Sequence, residues 1–202
     1  QEINFPDRSV GATEQALLAA VLAEGETVLR NCAREPEITW LCRFLQKMGA
    51  RICHEKEGCI RVQGVTSLYG TEMLIPADRI VTGTYLCAAA ASRGSVTVEN
   101  APEGEMEAFL EVYRKMGGQY EWNSGKLVAD GSRVRFPVSM TETAAYPGFP
   151  TDLQSPAMAV LATIPGVSRI REKIFEDRYK TASWLCKMGA QIQIRDGVAV
   201  IY

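Results

Sequence analysis

Lys47-Met48-Gly49, Lys115-Met116-Gly117 and Lys187-Met188-Gly189 are one phrase written three times in a chain of 202 residues. A second glycine travels with each copy: Gly25, Gly94 and Gly166 precede the glycine of the phrase by 24, 23 and 23 residues. Two landmarks in fixed register, recurring every 68 to 72 residues, define an internal repeat. The chain reads as three copies of one structural unit.

Each copy opens with a short apolar helix. Ala16-Leu17-Leu18-Ala19-Ala20-Val21-Leu22-Ala23 has no polar face, and its counterparts are Tyr85-Leu86-Cys87-Ala88-Ala89-Ala90-Ala91 and Ala157-Met158-Ala159-Val160-Leu161-Ala162. A helix apolar on every side belongs in an interior. After the landmark glycine comes a short β-type run, Thr27-Val28-Leu29, Val96-Thr97-Val98 or Val167-Ser168-Arg169-Ile170. The next helix is amphipathic. Ile38, Leu41, Leu45 and Met48 fall at i, i+3, i+7 and i+10, and Met106, Phe109, Tyr113 and Met116 repeat that spacing. The glycine after each Met is a left-handed C-terminal cap. Two strand-like segments finish the unit, such as Ala50-Arg51-Ile52-Cys53 and Cys59-Ile60-Arg61-Val62, joined through Glu57-Gly58. The predicted order is βαβαββ: an α/β fold with apolar helices inside and sheets around them.

At 47% apolar the chain can bury a real core. Its net charge of −2, with acids and bases interleaved, argues against nucleic acid or a membrane surface as the main partner. No stretch reaches membrane-spanning length and no signal peptide is recognisable. Of the six cysteines, three lie in or beside apolar helical stripes, where a thiol behaves as a small hydrophobe. Cys53-His54 with Cys59 matches no common zinc spacing and lacks a fourth ligand, so no metal is expected. His54, among Glu55, Lys56 and Glu57, reads as a solvated side chain. Six cysteines without a disulfide-scaffold pattern suit a reducing, cytoplasmic setting.

Four segments are candidates for chemistry. Ser9-Val10-Gly11-Ala12-Thr13 leads into the first apolar helix, where small residues expose backbone N–H groups suited to a phosphate; locally, an ordinary Ser or Thr cap explains it better. Ala33-Arg34-Glu35-Pro36-Glu37 carries normal helix-start chemistry. Asp78-Arg79 reads as a solvated ion pair opening the second copy. Tyr146-Pro147-Gly148-Phe149-Pro150-Thr151-Asp152-Leu153-Gln154 sets a rigid turn that delivers Thr151 and Asp152 to the start of the third apolar helix. A carboxylate at a helix start is favoured in its ionised form and can accept a proton, but a plain N-terminal acid explains the spacing equally well.

The strings S-V-G-A-T, A-R-E-P-E-I, D-R-I-x-x-G-T, Y-P-G-F-P-T-D-L-Q and F-E-D-R-Y closely resemble the UDP-N-acetylglucosamine enolpyruvyl transferases. The resemblance runs the length of the chain. It implies a fold of two similar domains, each of three βαβαββ units arranged as an inverse α/β barrel. It also implies transfer of the enolpyruvyl group of phosphoenolpyruvate to the 3-hydroxyl of UDP-N-acetylglucosamine, the first committed step of peptidoglycan synthesis. That reaction proceeds by addition and elimination, without metal or organic cofactor.

Carried over by motif, Asp152 is the base that takes the sugar 3-hydroxyl proton, with Thr151 beside it. Asp7, Arg8, Ser9, Val10 and Gly11 match the segment that holds the uridine diphosphate. Ile174 matches a position lining the nucleotide-sugar pocket, and Glu35, Glu37 and Arg178 match polar positions around the cleft. Arg79 falls where the chain crosses between domains. Residues 1–76 then correspond to the last unit of one family domain, and 77–202 to two units of the other.

The departures are equally specific. Arg8 stands where the family often has a lysine, and Asp177, Tyr179 and Thr181 interrupt the usual F-E-N-R-F-x-H. Nothing matches the lysine–asparagine pair that grips phosphoenolpyruvate, the loop with the proton-donating cysteine, or the late phosphate-clamping arginine. The expectation is an internal portion of such an enzyme, inactive alone and partnered by the remaining units. The alternative is a short non-catalytic relative that binds a UDP-sugar or a protein.

Overall fold

The first copy folds in the order its sequence predicts. In the computed structural model, which describes residues 1–55 and 58–202, β1 (Glu2–Asn4) is followed by α1 (Val10–Ala20), β2 (Glu26–Arg30), α2 (Pro36–Lys47), β3 (Arg51–Glu55) and β4 (Cys59–Gln63). The sheet order is β1-β2-β4-β3, with β1 parallel to β2 and the other pairs antiparallel. Leu29, Ile52, Ile60 and Val62 belong to one buried cluster with Leu17 of α1 and Ile38, Cys42 and Leu45 of α2. Alternation along the strands thus gives the sheet one apolar face, and both helices bury their stripes on it. The predicted connection through Glu57, and the Lys56 and Glu57 neighbours proposed for His54, lie outside the described residues. His54 itself is exposed.

The second copy contributes α3 (Arg79–Ala91), β5 (Ser95–Glu99), α4 (Glu107–Lys115), β6 (Gln119–Asn123) and β7 (Lys126–Asp130). The third contributes β8 (Thr141–Glu142), a 3-10 turn (Thr151–Leu153), α5 (Gln154–Leu161), β9 (Ser168–Arg171), α6 (Lys180–Lys187), β10 (Ile192–Arg195) and β11 (Val198–Ile201). Its sheet, β8-β9-β11-β10, has the order of the first copy, including a parallel first pair. The second sheet is β5-β7-β6. It lacks the leading strand among the described residues, because the segment before α3 pairs with no sheet edge. The chain divides into two compact units, Gln1–Pro76 and Ala77–Tyr202, each with its own buried cluster.

The apolar helices meet the expected burial unevenly. α3 and α5 pack on each other in the second unit, and Leu86, Ala90, Leu153, Ala157, Met158 and Leu161 share its core. Gly83 makes this approach possible, since a Cβ there would stand 2.5 Å from Leu153 Cδ1. In the first unit, α1 has the sheet and α2 on one side only. Leu18 therefore remains 46% exposed and Leu22, just past the helix, 56%.

The three Lys-Met-Gly turns share one geometry: Gly49, Gly117 and Gly189 have φ of +101°, +98° and +104°. A feature with no sequence forecast accompanies the first two. The segment after the last strand of each copy returns to cover this turn. Tyr69 N donates to Met48 O at 2.8 Å, and Arg135 N and Phe136 N donate to Met116 O at 2.9 and 3.1 Å. The rings of Tyr69 and Phe136 lie over the glycines, where an added Cβ would come within 3.2 and 2.9 Å of them. Met116 is fully buried and Met48 half-buried; Met188 is 83% exposed, and nothing lies within 4 Å of a Cβ placed on Gly189.

Candidate functional site

The predicted residues fall into two groups, one in each unit. In the first unit, the β1–α1 connection carries Asp7, Arg8 and Ser9, all exposed. Ser9 is the N-cap of α1: its Oγ accepts from Ala12 N at 3.2 Å, and its N donates to Asp7 O at 2.9 Å. The local pattern is therefore an ordinary cap. Val10 is half-buried and Gly11 exposed, with nothing within 4 Å of a Cβ built there. The backbone at Gly11 is thus open to a ligand.

Two further residues hold this connection against the β2–α2 loop. Thr13 is fully buried; its Oγ1 donates to Ser9 O at 2.8 Å and accepts from Ala33 N at 3.0 Å. Asn31, in left-handed backbone at φ 56°, donates from Nδ2 to Phe5 O at 2.9 Å and accepts from Arg8 Nε at 3.3 Å. Asn31 had no sequence signal beyond its tolerance of that conformation. Glu35 is buried and accepts from Arg34 N through Oε2 at 2.9 Å, ahead of Pro36 at the first turn of α2. Glu37, in that first turn, is exposed.

In the second unit, the Tyr146–Pro150 turn has a cis bond at Tyr146-Pro147 and closes through Gly148 N to Ala145 O at 2.9 Å and Ala144 N to Phe149 O at 3.0 Å. Phe149 and Leu153 anchor it in the core, and Asp152 between them is exposed at the start of the 3-10 turn and α5. Asp78 and Arg79 differ from the solvated pair the sequence suggested. Asp78 caps α3 by accepting from Ile80 N and Val81 N at 2.7 and 3.1 Å, while Arg79 is buried with its guanidinium 5.5 Å from the Tyr146 ring centroid. Capping satisfies two orphan helix donors, which a solvated carboxylate would not.

Thr151, Asp152, Ile174 and Arg178 converge. Arg178 Nη2 donates to Asp152 Oδ1 at 2.6 Å, with Arg178 and Asp152 side chains 35% and 53% exposed. The guanidinium also lies 5.0 Å from the Phe175 ring centroid. Ile174, next in the chain before Phe175, is exposed. Glu172, which no motif singled out, ties these segments together. Its Oε1 accepts from Thr143 Oγ1 and Ile174 N at 2.8 Å and from Phe175 N at 3.2 Å, and its Oε2 accepts from Thr151 Oγ1 at 2.8 Å. The departures from the family string are structurally used. Tyr179 Oη accepts from Glu172 N at 2.8 Å and is within donating distance of Ile170 O and Gly197 O, bonds that a phenylalanine would lack. Thr181 Oγ1 donates to Ser155 Oγ at 3.0 Å.

The sequence model of the EPSP synthase (3-phosphoshikimate 1-carboxyvinyltransferase) family matches residues 1–202. The chain belongs to the EPSP synthase family. Within it, the chain is 44% identical over 200 residues to UDP-N-acetylglucosamine 1-carboxyvinyltransferase 2 of Caldanaerobacter subterraneus subsp. tengcongensis, covering 99% of this chain and 48% of that protein. It is 45% identical over 199 residues to UDP-N-acetylglucosamine 1-carboxyvinyltransferase 1 of Symbiobacterium thermophilum, covering 98% and 44%. The crystal structure of the enolpyruvyl transferase NikO from Streptomyces tendae superposes with a TM-score of 0.88 at 20% identity, over 99% of this chain and 50% of that one. At that identity the likeness shows the fold, which is the α/β fold of a family enzyme. The chain spans about half the length of the curated relatives it matches. Among the described residues of this family member, no group of three His, Cys, Asp or Glu is placed to hold a metal, and no helix is long and apolar enough to cross a membrane.

Proposed function

We propose that this chain is part of an enolpyruvyl transferase that joins phosphoenolpyruvate to the 3-hydroxyl of UDP-N-acetylglucosamine, releasing phosphate, in peptidoglycan synthesis. The observation that carries this reading is identity of 44–45% across 98–99% of the chain to relatives bearing that activity in their names, with Asp152 held open at a helix start. Asp152 is the base. One carboxylate oxygen accepts from Arg178, which fixes the group's orientation. The other takes the hydroxyl proton as the sugar oxygen bonds to C2 of phosphoenolpyruvate. The proton added to C3 comes from an acid outside this chain. Its loss again, with departure of phosphate, restores the enol double bond.

Arg8, Ser9, Val10 and Gly11, with Asp7, hold the nucleotide diphosphate. Arg8 supplies charge and the open backbone at Gly11 supplies close approach. In the second unit Ile174 packs against the nucleotide-sugar, with Thr151 and Arg178 as its polar contacts; in the first unit Glu35 and Glu37 are substrate-binding positions. Residues 1–76 are the last βαβαββ unit of one family domain, and 77–202 are two units of the other, so the remaining units are this chain's obligate partners. Six free cysteines suit a cytoplasmic reaction, fed by soluble substrates.

The test is phosphate release by the complete gene product supplied with both substrates. Asp152→Asn should lower the rate by about 10²- to 10⁴-fold, the usual worth of a general base. No phosphate release by the wild type, or an undiminished rate for Asp152→Asn, overturns the reading.

A further inference from the structure

Glu172 occupies the junction of three segments. Thr143 precedes the Tyr146–Pro150 turn and forms a parallel bridge with Phe149 at its end. It is fully buried; its hydroxyl donates to Glu172 Oε1 and accepts from Lys173 N, both at 2.8 Å. Thr151 follows the turn, is the residue before Asp152, and donates to Glu172 Oε2 at 2.8 Å. The 174–175 backbone, three to four residues before Arg178, donates two N–H groups to Oε1. Tyr179 Oη closes the loop on the other side by accepting from Glu172 N. One carboxylate therefore fixes, at the same time, the segment that carries Asp152 and the segment that carries Arg178. Its bonds come from hydroxyl and backbone donors whose geometry is set by buried or folded chain, so the carboxylate is pinned rather than mobile.

We propose that Glu172 is a positioning residue for the transfer reaction. By binding Thr151 through one oxygen and the 174–175 backbone through the other, it sets the separation of the Asp152–Arg178 pair. This inference rests on Asp152 being the base. It makes a specific demand on chemistry. Glutamine at position 172 can reproduce the arrangement, because its carbonyl oxygen can receive the Thr143, Ile174 and Phe175 donors while its NH₂ donates to the Thr151 hydroxyl. Alanine cannot. A displacement of about 1 Å at a reacting group lowers rate by on the order of 10²-fold.

Two measurements test it separately from the function. In the chain itself, amide hydrogen exchange at Ile174 and Phe175 should accelerate at least about tenfold in Glu172→Ala and return to the wild-type rate in Glu172→Gln. In the complete gene product, Glu172→Ala should reduce kcat by about 10- to 100-fold with the KM for phosphoenolpyruvate unchanged, and Glu172→Gln should restore it. Thr151→Val, which breaks the arm toward Asp152 and leaves the two 174–175 bonds in place, should lower kcat while leaving exchange at Ile174 and Phe175 unchanged, and it guards against an alanine variant that fails to fold. Unaltered exchange in a folded Glu172→Ala chain overturns the clamp. An active wild type whose kcat survives both Glu172→Ala and Thr151→Val overturns the positioning role. A wild-type product that releases no phosphate overturns the function instead, and the exchange data still decide the clamp.

Discussion

Arg178 and Asp152, 26 residues apart in sequence, meet in a 2.6 Å ion pair at the mouth of α5. Both side chains keep substantial exposure, so the pair belongs to the class of surface ion pairs that add at most about 1 kcal/mol to stability. Its value lies in direction: a planar guanidinium stacked beside Phe175 fixes which carboxylate oxygen faces outward.

Arg178→Ala should therefore separate stability from rate. The melting temperature should move by no more than a few degrees, in line with about 1 kcal/mol or less. Phosphate release by the complete gene product should fall at least about tenfold, through loss of orientation. Thermal melts and steady-state kinetics on one preparation check both. Equal losses in the two would assign Arg178 to structure alone.

The three left-handed glycines offer an internal comparison. Replacement by alanine imposes the same backbone strain at each, about 1–2 kcal/mol. Gly117→Ala adds a collision with Arg133 O at 2.6 Å and with the Phe136 ring, so its cost should rise by about a further 1–3 kcal/mol. Gly189→Ala meets nothing and should cost only the strain. Gly49→Ala, with a Tyr69 ring carbon at 3.2 Å, should fall between. Urea denaturation of the three variants ranks them, and a costlier Gly189→Ala than Gly117→Ala would contradict the geometry.

Thiol labelling should sort the cysteines by burial. Desolvation pushes Cys42 and Cys87 up to about 12 and, with the neighbouring Cys59, Cys32 up to about 11. Cys59 is buried as well, whereas Cys53 and Cys186 are exposed. A charged alkylating reagent at pH 8 should modify Cys53 and Cys186 in the folded chain and all six only after unfolding. Raising the pH toward 10 should still not recruit Cys42 or Cys87, since their thiolates remain scarce below their raised values. Mass spectrometry of the labelled chain reads the outcome.

The repeat was legible because its signals are local. Lys-Met-Gly marks a helix end by a backbone conformation only glycine takes easily, and the stripe of Met106, Phe109, Tyr113 and Met116 needs nothing beyond helical spacing. All four of those residues are buried, as the stripe requires. What the sequence missed is what depends on distant partners. Asp78 looked like half of an exposed pair, but it caps a helix while Arg79 lies beneath the Tyr146 turn. Glu172 belongs to no motif; the partners of its carboxylate come from 29 residues upstream to 3 residues downstream, and no spacing announces them. All of α1 was expected inside, but a helix with a single sheet to lie on can hide only one side. The leading strand that the second copy lacks among the described residues has the same origin: pairing needs a neighbour, and periodicity does not report one.

The returning segments that bring Tyr69 onto Gly49 and Phe136 onto Gly117 change what counts as one module. A piece ending at Gln63 or Asp130 would leave its own amphipathic helix unsealed, with the Met48 or Met116 carbonyl stripped of its donor. Exchange of repeats between related proteins should accordingly succeed at junctions placed beyond Tyr69 or Phe136. It should fail at the strand ends, where the hydrophobic pattern alone would invite the cut.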